Sequence, residues 1–160
     1  MSNFRRSWSK VGTRAILPQQ QAFKNSYLYS AIAPVTGDDF HLMSFESMNT
    51  ETEAIFLTEL KKKHPDQHVV VVIDNAPCHK PKVLHAIPGM TLVHLPPYSP
   101  ELNPAERYFE ELRRATADEL FTTMDDLEQR LTDTINTWTP ERLKRLCGYD
   151  WILEQFGLVN

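Results

Sequence analysis

The sequence predicts an α/β sandwich, and three patterns carry that expectation. Val69 to Ile73 is an unbroken apolar, β-branched run. Tyr27 to Phe45 reads as two strands around a turn. Helix-period stretches alternate with such runs along the rest of the chain.

Each element has its own local reason. Tyr27 to Val35 and Phe40 to Phe45 alternate apolar and small residues on either side of Thr36-Gly-Asp-Asp39, as an antiparallel hairpin does. Thr50 and Glu53 have capping-box spacing, and Ile55, Phe56, Leu57 and Leu60 give the following helix a buried face as far as Lys63. Pro65 and Asp66 break the chain before the strand 69–73, which reads as buried and ends in Asp74. A short helix is expected over 81–86, Pro88-Gly89 turns, and Met90 to Leu95 makes the next strand. Asn103-Pro104 reads as a cap followed by proline at the first helical position, which sets Glu106 in a helix's first turn. Met124, Leu127, Leu131, Ile135 and Trp138 recur at three- and four-residue intervals, the mark of an amphipathic helix. Thr139-Pro140 caps a shorter helix through Leu146, and Tyr149 to Phe156 supplies the last.

The 160 residues show no internal repeat or splitting linker and are expected to form one unit. No stretch approaches the roughly eighteen apolar residues that a membrane span requires. Cys78 and Cys147 lack any framework spacing, so both are expected as reduced thiols, in a cytoplasm. The net charge of -4 argues mildly against a free-standing DNA binder, yet the charge is uneven. Bases concentrate at Arg5, Arg6, Lys10, Arg14 and Lys24, and again at Lys61, Lys62, Lys63, Lys80 and Lys82. Lys80 and Lys82 follow the Asp74 strand, where they are either phosphate contacts or ordinary solvated lysines.

Two carboxylates stand out. Asp74 ends a parallel-type strand, where α/β sheets place their ligands, and Glu106 opens a helix thirty-two positions later. Each also has a structural reading: Asp74 as an Asx turn and Glu106 as the far half of a capping box begun by Asn103. Cys78, His79, His85 and His94 fit no standard zinc spacing.

Asp74-Asn-Ala-Pro-x-His79 together with Leu95-Pro-Pro-Tyr-Ser-Pro-Glu-Leu-Asn-Pro-x-Glu106 resembles the DDE transposases of the mariner superfamily, especially their bacterial insertion-sequence branch. Arg6-Ser-Trp-Ser-Lys-Val-Gly12 looks like the segment after that family's first catalytic strand. The resemblance implies a ribonuclease-H-like mixed sheet flanked by helices. Residues 1–122 would form a partial catalytic domain and 123–160 its C-terminal helical extension. It also implies that Asp74 and Glu106 are the second and third catalytic acids and ligands of Mg2+ or Mn2+. Asn75, His79, Lys80, Lys82, Tyr98 and Asn103 would lie along the substrate, with Tyr98 placed to stack on a base.

The first acid belongs on a central strand upstream of the Trp8 segment, and no Asp or Glu precedes Asp38. Asp38 and Asp39 read as hairpin-turn residues. The expectation is a truncated or split catalytic domain with its first strand missing. Its ancestral reaction is metal-dependent DNA cleavage and strand transfer at transposon ends and target, and it is inactive alone. The alternative is a non-catalytic protein that pairs with full-length transposase and regulates it. The expected partners are DNA, a second copy, or an upstream transposase fragment, in a bacterial cytoplasm.

Overall fold

In the computed structural model, residues 10–12, 26–44, 48–79, 82–117, 119, 121–155 and 157 are described. The Trp8 segment, Phe45, Lys80 and Pro81 lie outside them. Strands β1 (Tyr27–Ile32) and β2 (Asp39–Ser44) pair antiparallel with Tyr27 opposite Ser44, and β3 (Val69–Ile73) and β4 (Met90–His94) pair parallel with Val69 opposite Met90. Among the described residues these are two separate two-stranded sheets, with no strand joining β1 to β3. Among the described residues, the central strand expected of a mixed sheet is not present.

Helix α1 (Thr50–Lys63) holds the two halves together. Its Phe56, Leu57 and Leu60 pack against Tyr29 of β1 and against Met90 and Leu92 of β4, in a cluster that also takes in Val69, Val71 and Ile73. Its cap differs from the expected one. Asn49 accepts from the Glu51 and Thr52 amides, and Thr52 completes the capping box, so the register is one residue earlier than Thr50 and Glu53 suggested. Glu53 is thereby freed from capping and turns into the core, while Ile55 points to solvent.

The opposite face is covered on one side only. Helices α2 (Ala105–Ala115), α3 (Met124–Asn136) and α4 (Pro140–Cys147) bring Tyr108, Leu112, Trp138, Leu143 and Cys147 against Leu28 and Ile32 of β1. A last short helix, α5, spans Asp150–Gln155. The hairpin turn between β1 and β2 sits on the start of α4: Gly37 has φ +73°, and a Cβ there would run into the Pro140 carbonyl. The same covering does not reach β3, where Val70 and Val72 remain 60% and 52% exposed. The strand expected to be buried is therefore partly buried on one face and exposed on the other. The expected 81–86 helix shrinks to a single 3-10 turn at Leu84–Ala86.

Both cysteines are free thiols. Burial pushes the Cys147 thiol up to about 11, and the half-buried Cys78 thiol is also raised, by burial and then by the charge of Glu53. At pH 8 an alkylating reagent should modify Cys78 in the native protein and Cys147 only on unfolding, as mass spectrometry would show. Equal native rates would remove Cys147 from the core.

Candidate active site

Asp74 leaves the carboxyl end of β3 and immediately turns the chain. Its Oδ1 accepts from the Ala76 amide at 2.8 Å, an Asx turn, and stands 2.9 Å from Nδ1 of His79, which closes the 3-10 turn Pro77–His79. Both contacts fall on Oδ1 and the side chain is half exposed, so Oδ2 keeps its capacity to bind. Asn75 donates its side-chain amide to the Leu95 carbonyl, and Leu95 N–H donates to Ile73 O at 2.8 Å, which ties together the ends of β3 and β4.

Glu106 comes from the other direction. Pro100–Leu102 forms a 3-10 turn, Asn103 Oδ1 accepts from the Ala105 amide at 3.1 Å, and α2 begins. The Asn103 N–H bonds to Pro100 O, so Glu106 is not the reaching half of a capping box. Its exposed carboxylate has no hydrogen-bond or ionic partner among the described residues. Glu110, the next acid along α2, pairs with Arg114 at 2.6 Å.

Asp74, Asn75, Tyr98, Asn103 and Glu106 line one cavity of about 270 Å3, floored by Leu95, Pro96 and Pro100. Five of the residues singled out in the sequence thus share one hollow. Tyr98 is fully exposed at its rim with φ +59°, a left-handed conformation that costs a non-glycine residue energy. His79 touches Asp74 from outside the hollow. Lys82 is exposed and does not line it, and Lys80 lies outside the described residues.

Asp38 and Asp39 are elsewhere. Asp38 pairs with Lys63 at 2.7 Å and with His64 at the far end of α1, and Asp39 pairs with His41. Among the described residues no three of His, Cys, Asp and Glu are grouped to hold a metal ion.

One acid escaped the sequence reading. Glu53 is 3% exposed, and its Oε2 lies 3.4 Å from Nε2 of His79, an ion-pair distance whose geometry leaves that oxygen without a hydrogen-bond partner. Burial is the largest single influence on the His79 imidazole and favours its neutral form. The flanking Glu53 and Asp74 carboxylates together outweigh it and raise the pKa above the ordinary value. The signal for Glu53 was its spacing from Phe56, Leu57 and Leu60, which sets it on the buried stripe of α1.

The two strand pairs with their covering helices are ribonuclease-H-like in fold, and the fold is that of a transposase catalytic domain. The Mos1 transposase paired-end complex with left transposon end superimposes with a TM-score of 0.69 at 19% identity, over 90% of this chain and 46% of that one. The Mos1 strand transfer complex gives 0.68, also at 19% identity. The chain spans about half the length of these structures. Residues 1–128 match the DDE superfamily endonuclease model, and the chain belongs to that family. "Uncharacterized protein y4pE/y4sA" of Sinorhizobium fredii (strain NBRC 101917 / NGR234) is 28% identical over 135 residues, 83% of this chain and 93% of that protein. The family generally uses divalent metal ions. No helix among the described residues is long and apolar enough to cross a membrane.

Proposed function

We propose that this chain supplies two of the three acids of an insertion-sequence transposase site, and that alone it does not cleave DNA. The observation that carries this reading is the shared cavity of Asp74 and Glu106, which opens at the end of β3, a strand paired among the described residues with β4 alone. Asp74 Oδ2 and the unpartnered Glu106 carboxylate suit Mg2+ or Mn2+, which take oxygen ligands. Such ions, held there, would supply positive charge to both the attacking and the leaving oxygen of an in-line displacement.

The reaction is metal-dependent DNA cleavage followed by strand transfer. Attack by a water oxygen breaks one P–O3′ bond at the transposon end. The water's proton goes to solvent and the freed O3′ takes one up. That 3′-hydroxyl then attacks a target phosphodiester, displacing the target's own O3′. Asp74 and Glu106 hold the charge that makes this possible. Asn75 stiffens the floor, and Tyr98 presents a ring to a base at the rim. The Mos1 complexes, both named for steps of DNA transposition, support DNA as the partner.

The third acid is expected on a strand inserted between β1 and β3, from an upstream transposase fragment or a second copy. A labelled transposon-end duplex with Mg2+ tests the reading. The chain alone should leave it intact, and adding the upstream strand with its aspartate should restore nicking. Robust nicking by the chain alone, lost in Asp74→Ala, would overturn the claim of incapacity. The edges of β1 and β3 that no described strand pairs also favour a second reading, a regulator that pairs with full-length transposase. Failure to co-purify with that enzyme counts against it.

A further inference from the structure

We propose that Glu53 is a positioning residue of this site, holding the His79 ring so that the ring fixes the Asp74 carboxylate. The three side chains form a continuous line. Glu53 Oε2 stands 3.4 Å from His79 Nε2, and His79 Nδ1 stands 2.9 Å from Asp74 Oδ1. The ring thus lies between the two carboxylates, and the Ala76 amide donates to the same Oδ1 at 2.8 Å.

Glu53 occupies a place where folding alone favours an apolar residue. It is almost wholly buried on the stripe of Phe56, Leu57 and Leu60, and its Oε2 lacks a hydrogen bond. A buried carboxylate with an unsatisfied oxygen opposes stability, so packing gives no reason for it. Its neighbours do. Thr52, one residue before it, is anchored to β1 by the 2.7 Å bond between Tyr29 Oη and Thr52 Oγ1. Glu53 therefore sits on a helix that is packed into the core by Phe56, Leu57 and Leu60 and tied to β1. Through His79 it reaches the turn that carries Asp74. Groups that orient a metal ligand from behind act this way, and their loss costs about 10- to 100-fold in metal affinity or activity.

The inference rests on Asp74 being a metal ligand, and two measurements on the full chain keep the two claims apart. The first is Mn2+ binding by titration calorimetry, with Asp74→Asn as reference. Glu53→Leu, close in volume and suited to the core, should weaken binding about tenfold or more, and Glu53→Gln should recover most of it. His79→Leu should match Glu53→Leu, and the double variant should be no worse than His79→Leu, because Glu53 acts through the ring. Additive losses would overturn the proposal. The second is the side-chain NMR signature of the unloaded chain. Glu53→Leu should shift the His79 Nδ1 and Asp74 carboxylate resonances, although Glu53 touches neither atom. Unchanged resonances would overturn the positioning role whatever the metal does. If the wild-type chain binds no Mn2+ while these resonances move, Asp74 is not a ligand in this chain and the positioning role stands.

Discussion

Asp74→Asn in the strand-completed domain should abolish DNA nicking while leaving the fold intact. Asparagine keeps an Oδ1 that accepts from the Ala76 amide, so the turn after β3 survives. What it loses is the charge, on the one oxygen of the pair that no described residue engages. Removing a single group that stabilises developing charge costs about 10²- to 10³-fold, and a lost metal ligand belongs at or beyond the upper end. Asp74→Ala should be equally inactive and in addition lose about 1 kcal/mol from the broken turn. The pair of variants separates chemistry from architecture. Glu106→Gln offers a matching case, because the Glu106 side chain is exposed and unpartnered among the described residues. Its unfolding midpoint should stay within about 0.5 kcal/mol of wild type while nicking falls as far as in Asp74→Asn. Nicking rates on an end duplex and urea unfolding curves read both quantities. Cleavage by Asp74→Asn within tenfold of wild type would mean that the carboxylate is only a turn residue.

Much of this site was legible because its residues announce themselves locally. The β-branched run ending at Asp74 and the Asn103-Pro104 start before Glu106 each follow from short-range chemistry, and α2 begins where the prolines require. What the pattern left open depended on neighbours. Val69 to Ile73 reads as a strand whatever covers it, and only the packing reveals that Val70 and Val72 face outward where α2 to α4 do not reach. The cap of α1 was misplaced because Thr50 and Glu53 satisfy the same spacing as Asn49 and Thr52, and asparagine at the earlier position wins. That one-residue error assigned Glu53 to the helix end and hid the acid behind His79. Lys82 shows the opposite limit. Nearness in sequence to Asp74 does not bring its side chain to the cavity: the Asx turn at Asp74 and the 3-10 turn Pro77–His79 come between them.

Tyr108→Ala should destabilise the protein by about 3–5 kcal/mol, the usual cost of truncating a buried aromatic ring. Tyr108 is completely buried two residues after Glu106, where α2 crosses the hairpin. Its ring stacks on His41 of β2 at 5.3 Å and meets Trp138 edge-on at 4.9 Å, so one side chain ties β2, α2 and the segment after α3. Burial drives its hydroxyl far above the ordinary range, and the phenol stays neutral at any working pH. A loss of this size is a large fraction of the ~5–15 kcal/mol that holds a domain together. It falls on the helix that presents Glu106, so the acid should lose its place opposite Asp74 before the rest unfolds. Tyr108→Phe isolates the ring from the hydroxyl. The hydroxyl contacts to His41 are long, both 3.4 Å, and removing them should cost no more than about 1 kcal/mol. Urea unfolding of both variants measures the difference. A Tyr108→Ala protein within 1 kcal/mol of wild type would show that α2 is held by something other than this ring, and the placement of Glu106 would have to be explained anew.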